Sequence, residues 1–256
     1  MTQEEMLLQN VLRYPDDDTP RLAYAAYMSE IGDPRGEFIP VSVEVGRMNG
    51  DFENPNFLPM AETMHALVDE YGQALAGPVA SLVDHYVLER GFVELVEMTA
   101  ARFLELAAQL YRLAPVRHAT LTEVKPVVEA LFSSPALEPI RSLSLQNCQL
   151  TDHDVQILAA SPYLTELRWL SLADNEVGMA GAEALAASDK LPRLRYVVFD
   201  GNPVNPSQQF GDDQGAITDF WMPEEGIQLE EKYGRIEWLR ASPRKSSDLP
   251  PNRFAR

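Results

Sequence analysis

Three segments of the chain align without a gap at one fixed spacing, and this periodicity constrains the fold more than any other feature. They read IRSLSLQNCQL from Ile140, LRWLSLADNEV from Leu167 and LRYVVFDGNPV from Leu194, each starting 27 residues after the last. All three fit L-x-x-L-x-L-x-x-N/C-x-L. Within them Leu143 and Leu145, Leu170 and Leu172, and Val197 and Phe199 alternate, as a short strand with one buried face requires. Position nine holds Cys148, Asn175 and Asn202. A side chain there can bond backbone groups that the turn after the strand leaves unpaired. Cys148 is therefore expected to be structural rather than reactive.

Between these strands the apolar spacing is helical, at Val155, Ile157 and Leu158 and again over residues 180–185. Asp152 after Thr151 offers a helix start, and Gly178 and Gly181 mark the next turn region. The pattern resembles the leucine-rich repeat, and its length, with room for a true helix, resembles the ribonuclease-inhibitor-like subtype. Two weaker matches precede it, with Val116, Ala119, Leu121 and Val124 and with Val93, Val96, Met98 and Ala101 at the main apolar positions. Helices are expected over residues 100–110 and 125–132. The resemblance implies an α/β solenoid, a short arc of about five parallel strands and only about 20 Å of sheet.

An open array of this kind needs caps, because a terminal unit otherwise exposes apolar surface and a strand edge. Residues 1–90 are read as a helical N-terminal cap, 91–204 as the repeats, 205–240 as a C-terminal cap and 241–256 as a disordered tail. In the cap, Thr19-Pro20 signals a helix start. The helix continues as RLAYAAYMSEIG, with Leu22, Ala25, Ala26 and Ile31 as its candidate buried side, and Gly32-Asp33-Pro34 stops it. Further helices are expected over residues 37–48, 61–75 and 79–88, with residues 49–59 as a turn-rich link. At the other end residues 203–213 read as a polar loop. Ile217, Phe220, Trp221 and residues 227–239 supply apolar mass to cover the last strand.

The run from Pro15 to Ile39, PDDDTPRLAYAAYMSEIGDPRGEFI, resembles the bacterial repeat-companion domain, whose helix commonly reads P-R-L-x-Y-A-D-W-L-E-E-x-G-D-P-R-x-E-F-I. Pro20, Arg21, Leu22, Tyr24, Ala25, Gly32, Asp33, Pro34, Arg35, Glu37, Phe38 and Ile39 match. Ala26 and Tyr27 stand where the family has Asp-Trp. The resemblance implies an intracellular bacterial scaffold that precedes leucine-rich repeats, and it carries over no catalytic residue.

Charge narrows the partners. The chain carries 39 acidic and 21 basic side chains, a formal charge of -18, and 18 of the acids against 5 bases lie in residues 1–100. Such a surface repels phosphate backbones and anionic membranes, so neither direct nucleic-acid nor membrane binding is expected. It steers toward a basic protein. The extreme tail reverses the sign, with Arg244, Lys245, Arg253 and Arg256 against Asp248. A single cysteine precludes an internal disulfide. No stretch reaches the roughly 18 to 20 apolar residues of a membrane span. Met1 leads into TQEEMLLQN rather than a basic-then-apolar leader. The expectation is a cytoplasmic protein.

Candidate chemistry is sparse. Asp16-Asp17-Asp18 lacks the spacing and closing glutamate of a calcium loop. Asp152-His153-Asp154 has no cysteine cluster beside it, and His65, His85, His118 and His153 include no H-x-x-x-H pair. No nucleophile elbow, phosphate-binding loop or dinucleotide fingerprint occurs. No cofactor, no metal and no enzyme activity are expected.

Positions three, five and seven of each segment point away from the core. They read Leu95, Glu97, Thr99; His118, Thr120, Thr122; Ser142, Ser144, Gln146; Trp169, Ser171, Ala173; and Tyr196, Val198, Asp200. Trp169 and Tyr196 share a column, as an exposed aromatic pair set among small polar residues, the composition of a binding hot spot; the alternative is that the C-terminal tail folds over them or that they stack for sheet stability. Position two forms a second column, Arg117, Arg141, Arg168 and Arg195, able to meet a partner's carboxylates, to stack against Trp169 and Tyr196, or to stand solvated beside acids such as Glu94 and Glu166. The expected partner-binding set is Trp169, Tyr196, His118, Ser142, Ser144, Gln146, Ser171, Val198, Asp200, Arg141, Arg168 and Arg195. The function expected from it is a protein-binding module, in its concrete form an immunity protein or inhibitor that masks a basic toxin or nuclease. The alternative is a regulatory adaptor, including the GTPase-activating role some leucine-rich-repeat proteins play.

Overall fold

The computed structural model describes residues 1–48, 50, 51, 53–206, 208–211 and 217–240, with backbone alone for 208–211 and 217–221. The tail expected to be disordered, residues 241–256, lies outside the described residues, as do the side chains of Ile217, Phe220 and Trp221. Six strands lie in chain order in one mostly parallel sheet, with helices alternating between them, so the fold is α/β. The described chain forms two compact units, residues 1–96 with 106–116, and residues 97–105 with 117–240.

The first unit opens with α1 (Gln3–Arg13), which the sequence reading missed, although Thr2 and Glu5 close a capping box at its start. Next come α2 (Asp18–Glu30), α3 (Arg35–Met48) and α4 (Phe57–Ala76). Asp17, not Thr19, caps α2, its carboxylate accepting from the Thr19 amide at 2.8 Å. The buried side of α2 is Arg21, Tyr24, Ala25 and Met28, whereas Ala26 and Ile31 are exposed. The helix is turned from the face that apolar residues alone would select, because Arg21 enters the interior with a partner for its charge.

Val11, Tyr24, Ala25, Met28, Ile39, Val43 and Phe92 share one core cluster, and Phe38, Leu67 and Leu75 share another. Helices α2 and α3 approach so closely that a Cβ at Gly36 would lie 2.5 Å from the Ser29 amide nitrogen. Residues 79–88 are not the expected helix. A short 3-10 turn over Gly77–Ser81 is followed by β1 (His85–Glu89) and β2 (Phe92–Thr99). Arg90 and Gly91 between them have φ of 48° and 90°, the backbone of a tight hairpin turn. That pair and the β-favouring His-Tyr-Val-Leu run override the helical reading. The sheet therefore has one strand more than expected.

After α5 (Ala100–Leu113), the second unit alternates β3 (His118–Thr122), α6 (Val128–Phe132), β4 (Ser142–Ser144), α7 (Asp152–Ala159), β5 (Trp169–Ser171), α8 (Met179–Ala187) and β6 (Tyr196–Val198). β3 to β6 pair in parallel, with Leu143 opposite Leu170 and Leu170 opposite Val197. Leu143, Leu145, Leu170, Leu172, Val197 and Phe199 are all buried. The position-nine side chains bond as their pattern requires. Asn175 Oδ1 accepts from the Cys148 and Leu150 amides, both at 3.0 Å. Its Nδ2 donates to the carbonyls of Leu145, Leu172 and Ala173. Asn202 accepts from the Val177 amide and donates to Leu172 and Phe199. Cys148 donates its thiol to the Leu121 carbonyl at 3.4 Å, and burial pushes that thiol's pKa up. Position eight takes left-handed backbone at Glu123, Asn147, Asp174 and Gly201, with φ between 51° and 73°.

The helical side is tied by bonds of the same reach. Ser161 Oγ donates to the Phe132 carbonyl at 2.6 Å, and Ser188 Oγ, 27 residues on, to that of Ala159 at 2.5 Å. Asp152 caps the helix after its own, accepting from the amides of Gly178 and Gly181 at 2.7 and 2.8 Å. The chain continues through a hairpin, β7 (Gln208–Gly211) and β8 (Ile217–Trp221), then α9 (Glu224–Tyr233) and α10 (Glu237–Arg240). Leu229, Trp238 and Leu239 are buried there, and the Trp238 ring packs against Phe199 at 5.8 Å. Ile227, expected to help cover the last strand, is exposed.

Candidate binding surface on the strand face

Parallel register aligns the outward side chains of β3 to β6 into rows. His118, Ser142, Trp169 and Tyr196 form one row, and Thr120, Ser144, Ser171 and Val198 the next. This is the arrangement the 27-residue spacing predicts for β4 to β6.

The first row corrects the sequence reading. Trp169 and Tyr196 stand opposite each other but are only 6% and 8% exposed, and His118 and Ser142 beside them are buried too. His118 Nδ1 and Ser142 Oγ hydrogen-bond at 2.6 Å within this row. The aromatics are covered on this face, and removal of their large surface from water stabilises the fold. Ser171 is likewise buried, so His118, Ser142, Trp169, Ser171 and Tyr196 offer little surface to a partner. The signal that misled was alternation, which tells which face a side chain leaves from but not whether that face is covered.

Exposure returns toward the C-terminal ends of the strands. Thr120, Ser144 and Val198 are half-buried, while Thr122, Gln146 and Asp200 are exposed. A depression of about 480 Å³ opens here, lined by Glu97, Thr120, Thr122, Ser144, Gln146, Asn147 and Asp174. Gln146 Nε2 donates to Asp174 Oδ2 at 2.8 Å across adjacent strand ends. Asp200 is held by the Asn205 amide at 3.0 Å. Asn147 and Asp174 were not in the expected set. Their signal is position eight itself, where left-handed backbone favours Asn, Asp and Gly and turns the side chain onto the rim.

The arginine column is in place but not freely solvated. Arg141 and Arg168 are half-buried and Arg195 is exposed. Each carbonyl of Arg117, Arg141 and Arg168 accepts two amides of the next strand, so the column marks where pairing begins. The acids expected beside it serve other arginines. Glu166 pairs with Arg193 at 2.5 Å and Glu94 with Arg21 at 2.6 Å.

The aspartate clusters are committed to structure. Asp17 caps α2, and Asp18 pairs with Arg47 and Arg90. Asp152 caps α8, while Asp154 closes the α7 capping box and holds Lys125. Asp154's pKa is lowered: burial acts against this, and the Lys125 and Thr151 bonds outweigh it. Among the described residues no helix is long and apolar enough to cross a membrane. No protein-family model matches the chain, and no curated protein sequence matches it.

Proposed function

We propose that the chain is a leucine-rich-repeat protein, a short capped α/β solenoid preceded by a repeat-companion domain, that binds a basic protein without catalysing a reaction on it. The observation that carries this reading is the depression at the strand ends. Its lining is polar side chains delivered by successive parallel strands, with Glu97 and Asp174 as its charged members. Recognition then rests on hydrogen bonds and on a charge of -18 that speeds encounter with a cationic surface. In its most concrete form the protein is a cytoplasmic immunity protein or inhibitor that covers a basic toxin or nuclease by burying roughly 800 Å² on each partner.

The test is capture from the native host with the whole chain, beside the variant Gln146→Arg/Asp174→Lys. One basic protein retained by the wild type and lost from the variant supports the proposal. Retention by both moves the interface elsewhere. Capture of a GTPase only in one nucleotide state replaces inhibition by the adaptor role.

A further inference from the structure

A second depression, of about 420 Å³, lies in the first unit and has the opposite electrostatic character. It is lined by Gln9, Asn10, Leu12 and Arg13 of α1 and by Tyr111 and Arg112 of α5. The first unit is strongly acidic, and most of its arginines are neutralised within it. Arg21 holds Glu94, Arg35 holds Asp33 and Glu4, Arg47 holds Asp18 and Glu44, and Arg90 holds Asp18 and Glu94. Arg13 and Arg112 are the two that form no ion pair with a described residue, and they line the same depression. Both are exposed, and both stand in the last turn of their helix. The negative helix ends favour a base at that place and disfavour an acid beside it. Two guanidinium charges exceed two helix ends of about half a charge each, and the lining itself carries no acidic side chain.

We infer that this depression binds one phosphate monoester, gripped by the guanidinium groups of Arg13 and Arg112 with the side-chain amides of Gln9 and Asn10 as neutral donors. The planar fork of arginine matches phosphate oxygens two at a time, and the amides add donors without further charge. The acidic remainder of the unit selects a single phosphate over a polyanion, because each further phosphate would face carboxylates. The site shares no residue with the strand-end surface and does not depend on the protein-binding proposal.

Titration of the full chain with inorganic phosphate, then phosphoserine, at ionic strength matched with chloride tests the inference. Binding is read by calorimetry and by backbone amide shifts. The expected result is saturable binding with shifts at residues 9–13 and 111–112. It weakens at least about tenfold in Arg13→Ala and in Arg112→Ala and persists in Arg47→Ala, whose arginine is exposed but carboxylate-paired. Arg112→Lys, which keeps charge but loses the fork, binds between wild type and Arg112→Ala. A phosphoserine peptide that binds far tighter than phosphoserine identifies the source as a modified protein segment, and equal affinity identifies a free small molecule. Shifts spread over the chain without saturation, or equal losses in Arg47→Ala and Arg112→Ala, overturn the inference.

Discussion

Arg21 and Glu94 form a 2.6 Å ion pair sealed from solvent, the arginine wholly buried and the glutamate 4% exposed. The pair joins α2 to β2. Arg21 also donates to the carbonyls of Pro15 at 2.7 Å and Arg90 at 3.0 Å. Burial pulls the Arg21 pKa down, and the Glu94 charge opposes that pull. Removing Arg21 leaves the buried Glu94 carboxylate with the longer 3.2 Å pair to the partly exposed Arg90, so Arg21→Ala lowers stability by about 3 kcal/mol. The double change Arg21→Met/Glu94→Leu recovers most of the loss, as urea unfolding of the three proteins will show.

Glu89 on β1 gives the same unit a pH dependence. Burial, reinforced by the charge of Glu94, pushes its pKa up to about 7 against the pull of Arg90 and Arg21. Its folded pKa lies above the unfolded value of 4.5, so the neutral form is favoured on folding. The stability this group contributes is complete below the unfolded pKa and is lost as pH rises through about 7. Glu89→Gln, neutral throughout, will lose less stability than the wild type between pH values of about 5 and 8, measured by chemical denaturation.

Asn175 satisfies two amides and three carbonyls from inside the turns. Asn175→Ala takes the acceptor from the Cys148 and Leu150 amides and the side-chain donor from the Leu145 carbonyl, while Leu172 keeps Asn202 and Ala173 keeps the Asn147 amide. At about 1–3 kcal/mol for each group left buried, the change costs about 3 kcal/mol or more. Asn202→Ala costs less, because Asn202 is half-buried and water can replace part of its bonding. Thermal unfolding of both variants ranks them.

Trp169 and the strand ends separate stability from recognition. Trp169→Ala empties an interior site and lowers stability by about 3–5 kcal/mol. Gln146→Arg/Asp174→Lys changes only exposed side chains and shifts stability by about 1 kcal/mol or less, while the proposed function has it abolish capture of a basic protein. Paired unfolding and binding measurements on the two variants give opposite rankings.

How far the sequence foretold this follows from what each signal measures. Leu143, Leu170 and Val197 recur 27 residues apart within the same alternating apolar pattern, so their burial and register were legible. Asn175 and Asn202 were legible because the turn after each strand has backbone groups to satisfy. The covered row of Trp169 and Tyr196 was not, since alternation carries no information about what lies above a face. The turn of α2 was hidden because Arg21 is charged, and its partner Glu94 is 73 residues away in the chain. β1 escaped because Tyr86, Val87 and Leu88 suit helix or strand, and the Arg90-Gly91 turn decides between them.

The asparagine, aspartate and serine bonds each reach across one step of the chain, from Asn175 back to Leu145 and from Asp152 forward to Gly178. Such bonds make length itself a constrained variable. One residue inserted between β4 and Asn175 shifts that side chain relative to the Cys148, Leu150 and Leu145 backbone groups it bonds, so the span between these strands is held to its own length.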